Sequence, residues 1–157
     1  MGIPEIEDAG CLLCFGYNGA DSHPIVARRI VRGRQKGMKI ICADPRVTET
    51  ARISDIHLQL KGGSNLALVN AMANVIWKEG LADTKFIEEH TKGFDEFLKV
   101  IEKYTPEYAE PITHIPAETI RKAARMYATT KPAMILYGMG VCQFTQAVDV
   151  VKGLANL

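Results

Sequence analysis

The first residues to test for chemistry are Cys11 and Cys14, a C-x-x-C pair in "GCLLCFGYNGADSHP". That spacing serves zinc, iron–sulfur clusters and redox disulfides. Here the run Cys11 to Phe15 reads as a buried strand. Residues i and i+3 of a strand point to opposite faces, so the two thiols would not share a metal. No second C-x-x-C completes a site, and no helix starts at Cys11 to lower a thiol pKa. The pair is read as core, and Cys42 and Cys142 as small buried residues too. The four histidines are scattered, with no pair at metal-ligand spacing, and only His23 falls in a ligand-type loop. No Ser–His–Asp, Cys–His or paired-carboxylate arrangement can be assigned, so no catalytic residue and no metal ligand is named.

Four other segments carry ligand-type residues: "GYNGADSH", "ADPR", "GGSN" and "GMGVCQ". Each joins a strand end to the next element, and open parallel sheets bind ligands outside the carboxyl ends of their strands. Glycine lets backbone approach a ligand, and helix N-termini offer N–H groups to phosphate. A nucleotide is the natural ligand. The glycines Gly16 and Gly19 do not make G-x-G-x-x-G, and no G-x-x-x-x-G-K-[ST] is present. Asp44 suits a ribose contact or a turn cap with Pro45, and both readings stay open. Ser64 is expected to cap the following helix, and Asn65 either begins that helix or reads a base edge. Met139 and Gln143 serve either as loop and packing residues or as ligand contacts.

The elements that position these segments alternate as βαβ units, the pattern of a parallel α/β sheet. Strands are expected at Cys11–Phe15, Lys39–Ala43 and Ile56–Leu60, with a fourth in "AMILYGM". Pro24 opens a helix with Val26, Ala27, Ile30 and Val31 on its buried side. Arg28, Arg29, Arg32 and Lys36 then form a solvated face, without the aromatic interleaving that base stacking would need. Further helices are expected near 48–53, 66–78, 83–89, 94–104 and 117–128, with a last one from about Gln143. Pro106 and Pro111 mark a loop or short helix.

The chain of 157 residues suits one domain, residues 1–157, with its own core. Hydrophobic residues are 47% and charged residues 24%, and net charge is +1, so no global field favours nucleic acid or acidic membrane. No apolar run approaches the roughly 18 residues of a spanning helix, and the first ten residues lack a signal-peptide pattern. A reducing cytoplasm is the expected compartment. The chain starts just before a strand and finishes in an uncapped helix, as a piece of a longer polypeptide would.

At these loops the sequence resembles the catalytic subunit of molybdenum- or tungsten-dependent formate dehydrogenases, within the dimethyl sulfoxide reductase superfamily. The resemblance rests on "FGYNGADSHPIVARRI", "DPRVTETARISDIHLQLKGGSNLALVNAM", "GFDEF", "YTPEYAEPIT", "IRKAARMYA" and "LYGMGVCQFTQ". It implies a Rossmann-like three-layer sandwich, mainly parallel, with about four strands and a helical middle, that holds molybdopterin guanine dinucleotide. By resemblance, Gly16, Tyr17, Asn18, Ala20, Asp21, Ser22 and His23 would wrap one nucleotide. Asp44, Pro45 and Arg46 would form a second wall, and Gly63, Ser64 and Asn65 would sit at the guanine or its ribose. Met139 and Gln143 match a loop nearer the pterin. Superfamily members often carry Asp where Asn65 stands, and Asn offers the guanine N–H groups one carbonyl rather than a carboxylate.

The resemblance also implies which parts lie outside this chain. The family's iron–sulfur cysteines, its selenocysteine or cysteine metal ligand with an adjacent His, and its formate-orienting arginine are not matched. The complete enzyme would oxidise formate to carbon dioxide with further catalytic-subunit domains and electron-transfer subunits. This chain alone is expected to be inactive. A free-standing NAD-type module and a domain of another molybdopterin oxidoreductase, such as nitrate reductase, are the alternatives.

Overall fold

The computed structural model describes residues 2–157. After a 3-10 turn over Ile3–Asp8 come β1 (Cys11–Phe15), α1 (Gly19–Ser22), α2 (Pro24–Gln35), β2 (Lys39–Ala43), α3 (Glu49–Arg52) and β3 (Ile56–Leu58). Next come α4 (Asn65–Lys78), α5 (Thr84–His90), α6 (Phe94–Ile101), α7 (Pro106–Thr113) and α8 (Ala117–Thr129). The chain closes with β4 (Ala133–Tyr137), α9 (Met139–Cys142) and α10 (Ala147–Ala155).

The four strands form one parallel sheet in the order β3-β2-β1-β4. Parallel strands covered on both faces read as continuous apolar runs, and all five residues of "CLLCF" are buried. Cys11 pairs with Lys39 on one side and Ala133 on the other. Alternation then sorts the side chains. Leu12, Cys14 and Ile40 meet Ile6, Ile30 and Met38 under α2 and the 3-10 turn. Cys11, Leu13, Phe15 and Ile41 meet Leu68, Met72, Ile120 and Val150 under α4, α8 and α10. Helices on both faces make the expected three-layer α/β sandwich, with α5, α6 and α7 as its helical middle.

Some expectations need correction. β3 stops at Leu58 rather than Leu60, because Leu60 N–H turns back to Leu58 O and Lys61 N–H goes to Thr113 O. β4 stops at Tyr137, and the next residues coil into α9, so the final helix starts at Ala147. α6 ends at Ile101, with Tyr104 N–H returning to Ile101 O. The prolines at 106 and 111 lie in a short helix, Pro106 in its first turn. On α2, Val31 is 44% exposed rather than buried. The inward residues are Ile30 and Gly33, and Val31 is one step of about 100° round the helix from Ile30.

The cationic face of α2 is less free than its sequence suggests. Glu7 of the 3-10 turn receives Arg29 at 2.5 Å, Lys36 at 3.0 Å and Arg32 at 3.7 Å. Hydrogen bonds from Arg29 and Lys36 hold the Glu7 carboxyl at about 2, below its ordinary 4.5. A depressed carboxylate stabilises the fold above its unfolded pKa and stops doing so as pH falls through the folded value. The melting temperature should therefore drop between about pH 4.5 and pH 2 more steeply in the native chain than in Glu7→Gln. Scanning calorimetry checks this, and parallel curves for the two proteins would refute it.

Candidate functional site

The four ligand-type segments meet at the carboxyl edge of the sheet because β1, β2 and β4 all point there. Gly16 ends β1 in a left-handed conformation, φ +55°. Its N–H donates to Ala43 O at 2.8 Å, and its carbonyl accepts Gly140 N–H at 3.1 Å. A Cβ at Gly16 would lie 2.7 Å from the Gly140 carbonyl carbon, and one at Gly140 2.8 Å from the Gly16 Cα. Glycine at both positions is what lets the loops after β1 and β4 touch, backbone on backbone.

Tyr17 turns into the α2 side of the core and is 7% exposed. Two glycines make room for its ring: a Cβ at Gly19 would lie 2.6 Å from Tyr17 Cε1, and one at Gly138 3.2 Å from its Cδ2. His23 stacks on the ring with centroids 5.6 Å apart. The Tyr17 hydroxyl and Asn18 Oδ1 are buried without a hydrogen-bond partner. Burial, with Cys14 nearby, raises the Tyr17 pKa, so the hydroxyl keeps its proton and stays a donor. Around them the loop is wired internally. Asn18 Nδ2 donates to Asp21 Oδ2 at 2.6 Å, and Ser22 Oγ to Asn18 O at 2.7 Å.

Asp44 is 4% exposed, and its Oδ1 accepts Arg46 N–H at 2.8 Å. That is the turn-capping geometry weighed for it in the sequence. The corner is braced from β3: His57 Nε2 lies 2.9 Å from Asp44 O, and Gln59 Nε2 donates to Pro45 O at 3.1 Å. A carbonyl only accepts, so His57 Nε2 carries the proton. Ser64 stands at the N-cap position of α4, but its hydroxyl donates to Lys61 O at 2.7 Å instead of capping. Asn65, buried in the first turn, reaches across to Gly140 O, with its Nδ2 at 3.4 Å.

These pieces enclose a cleft of about 520 Å³. Gly16, Tyr17, Asn18, Asp21, Ser22, His23, Asp44, Pro45, Arg46, Asn65, Met139 and Gln143 all line it. Ala20, Gly63 and Ser64 do not: Ala20 sits within α1, Gly63 forms a left-handed turn (φ +84°), and Ser64 is 6% exposed beneath that turn. The lining also includes Leu60, Gly62, Gly138, Gly140 and Phe144, which were not singled out from the sequence. The glycines lie inside "GGSN" and "GMGVCQ", whose composition was the signal available. For Leu60 and Phe144 there was none. A second cavity of about 310 Å³, near Trp77, Phe94 and Phe97, contains none of the expected residues.

The cysteines stay apart from this cleft. Cys11 faces α4 and α8 while Cys14 faces α2, opposite sides of the sheet as the strand geometry requires. Among the described residues no three or more His, Cys, Asp or Glu side chains group as metal ligands. Burial pushes Cys11 up to about 11 and Cys42 up to about 12, and raises Cys14 further. Cys142, expected to be buried, is exposed, because α9 is a single turn at the cleft rim and Val141 is its inward residue. A disulfide reagent at pH 8 should thus titrate one thiol quickly in the native chain and the other three only after denaturation. Two fast thiols, or a Cys142→Ser variant that keeps its fast phase, would contradict this.

The molybdopterin oxidoreductase family model matches residues 2–157, and the chain belongs to that family. Within it, the chain is 53% identical over 155 residues to formate dehydrogenase H of Escherichia coli, covering 99% of this chain and 22% of that protein. It is 51% identical to the F420-dependent formate dehydrogenase subunit alpha of Methanocaldococcus jannaschii, covering 99% of this chain and 23% of that one. A nitrate reductase of Synechocystis is 34% identical, again over 22% of its length. Among solved structures, acetylene hydratase from Pelobacter acetylenicus superposes with a TM-score of 0.88 at 30% identity, over 96% of this chain and 22% of that one. The chain thus spans less than a quarter of the length of these relatives. No helix among the described residues is long and apolar enough to cross a membrane.

Proposed function

We propose that this chain is the part of a cytoplasmic formate dehydrogenase catalytic subunit that holds the guanosine diphosphate end of molybdopterin guanine dinucleotide. The observation that carries the proposal is the glycine-walled cleft at the carboxyl edge of the sheet, with two buried polar atoms in its first loop lacking partners. A buried hydroxyl or carboxamide without a partner costs free energy, and a polar ligand would remove that cost. The residues fit such a ligand. Tyr17 offers a donor and Asn18 Oδ1 an acceptor. Asp44 spends one oxygen on its own turn and keeps a second for ribose hydroxyls. Asn65 is latched through its nitrogen, which leaves its carbonyl for one guanine N–H. Arg46 brings the positive charge of the second wall. Gly62 and Gly63 have nothing within 4 Å of where a Cβ would be, so backbone there is open to close approach. Met139 and Gln143 stand on the β4 side, where the pterin arm would leave.

Such a group would supply molybdenum or tungsten, the redox centre at which formate would become carbon dioxide in the longer enzyme. This chain's residues bind and orient one end of it. Iron–sulfur clusters, the metal's protein ligand, the formate-orienting arginine and the electron-transfer subunits belong to other segments and partners. The higher identity to formate dehydrogenases than to the nitrate reductase favours formate as the substrate of the whole.

A thermal-shift experiment on the 157-residue chain tests the binding role. Guanosine diphosphate at a hundredfold over its Kd should add about 2.7 kcal/mol. For a chain of this size that raises the melting temperature by roughly 5–10 °C. NAD at equal concentration should leave it unchanged. Stabilisation by NAD and not by guanosine diphosphate would overturn the proposal in favour of a free-standing dinucleotide module.

A further inference from the structure

Ser22 and His23 are paired at the cleft in a way that selects one ring tautomer. Ser22 Oγ has one proton and two neighbours, Asn18 O at 2.7 Å and His23 Nδ1 at 2.8 Å. The carbonyl can only accept, so the serine proton goes to it. Were that proton turned to the ring instead, two oxygen lone pairs would face each other at 2.7 Å. His23 Nδ1 must therefore donate to Ser22 Oγ, and the neutral ring is held as the Nδ1–H tautomer. Nε2 is left as the unused nitrogen of a side chain that lines the cleft.

The charges around the cleft make that nitrogen matter. Its lining holds two carboxylates, Asp21 and Asp44, and one guanidinium, Arg46. With His23 neutral the lining carries a net charge of −1, which opposes an anionic ligand. Protonating Nε2 brings it to zero and turns that nitrogen from acceptor to donor. The elements packed nearby add Glu49 and Arg52 on α3, Arg28 on α2 and Lys61 before Gly62. The other histidine nearby, His57, sits behind Asp44 on β3, donating to the Asp44 carbonyl.

We infer that Ser22 is a positioning residue: by holding neutral His23 as the Nδ1–H tautomer, it leaves Nε2 able to donate to the diphosphate of the bound nucleotide only when the ring is protonated. This rests on the binding role proposed above and adds a pH dependence to it.

Two measurements on the 157-residue chain test it. The first needs no ligand. Long-range nitrogen–proton NMR at pH 8 should show His23 protonated at Nδ1, and Ser22→Ala should shift the ring toward Nε2–H. An Nε2–H ring in the native chain would overturn the tautomer assignment. The second uses guanosine diphosphate mannose, whose doubly esterified diphosphate does not itself titrate near neutrality. Its Kd, measured by calorimetry, should rise about tenfold from pH 6 to pH 8. His23→Asn keeps a donor toward Ser22 but has no atom at Nε2, so its Kd should be flat, while His57→Gln should keep the slope. A native Kd constant within this range, or a slope that survives His23→Asn, would overturn the contact and leave the nucleotide site standing. Absence of binding at every pH would overturn the proposed function and the contact with it, and the NMR result would stand apart.

Discussion

Gly16→Ala should cost about 2–5 kcal/mol in urea unfolding and abolish nucleotide binding. Two separate penalties meet at this residue. Its φ of +55° is a left-handed conformation that a Cβ disfavours by about 1–2 kcal/mol. The new methyl would also lie 2.7–3.0 Å from three backbone atoms of Gly140 and Val141, and backbone cannot swing aside as a side-chain tip can. Overpacking of this kind adds about 1–3 kcal/mol. Gly37→Ala separates the two, because Gly37 has φ +103° and nothing within 4 Å of its Cβ position. It should show the backbone share alone. Any entropy lost by the unfolded chain is similar for both variants and cancels in the comparison. Equal losses would mean that the Gly16–Gly140 contact carries no weight in holding the cleft.

Tyr17 should give changes of opposite sign. Tyr17→Ala empties a site packed between Gly19 and Gly138 and should cost about 3–5 kcal/mol. Tyr17→Phe keeps the ring and removes only a buried hydroxyl that has no partner. It should stabilise the ligand-free chain by about 1 kcal/mol. The same variant should bind guanosine diphosphate mannose about tenfold more weakly, since the lost donor is the one the ligand would satisfy. A stability gained together with an affinity lost is what a residue kept for binding produces. If Tyr17→Phe were less stable and bound equally well, the hydroxyl would have some role other than the nucleotide.

Much of this was legible in the sequence, for reasons that differ by residue. The bounds of β1 and β2 came from buried runs stopped by Gly16 and by the Asp44–Pro45 turn. The cleft loops could be named because a parallel sheet puts every strand's carboxyl end on one edge. The cysteine pair could be set aside from strand alternation alone, and the two thiols do face opposite layers. Contact at long separation was not legible. Asn65 and Gly140 are 75 residues apart, and nothing local marks the carboxamide as a latch on the loop after β4. The same holds for Gly16 against Gly140. Exposure on short helices was also hidden: Val31 and Cys142 are apolar by type, yet each sits one residue along from the position that turns inward. Ser64 has the composition of a cap, and its hydroxyl finds Lys61 O first.

The strand order has a consequence for how the molecule comes into being. β1, made first, lies between β2 and β4, and its partner residues in β4 run from Ala133 to Tyr137. During synthesis β1 and β2 can pair early, but the other flank of β1 stays open until nearly the whole segment has left the ribosome. The Gly16–Gly140 contact closes later still. Contacts this distant slow folding, because the intervening chain must be ordered before they are gained. The residues that line the cleft run as far as Phe144, so the cleft is complete only when nearly the whole segment is out. Until then the open side of β1 is a sticky edge that has to be kept from other strands.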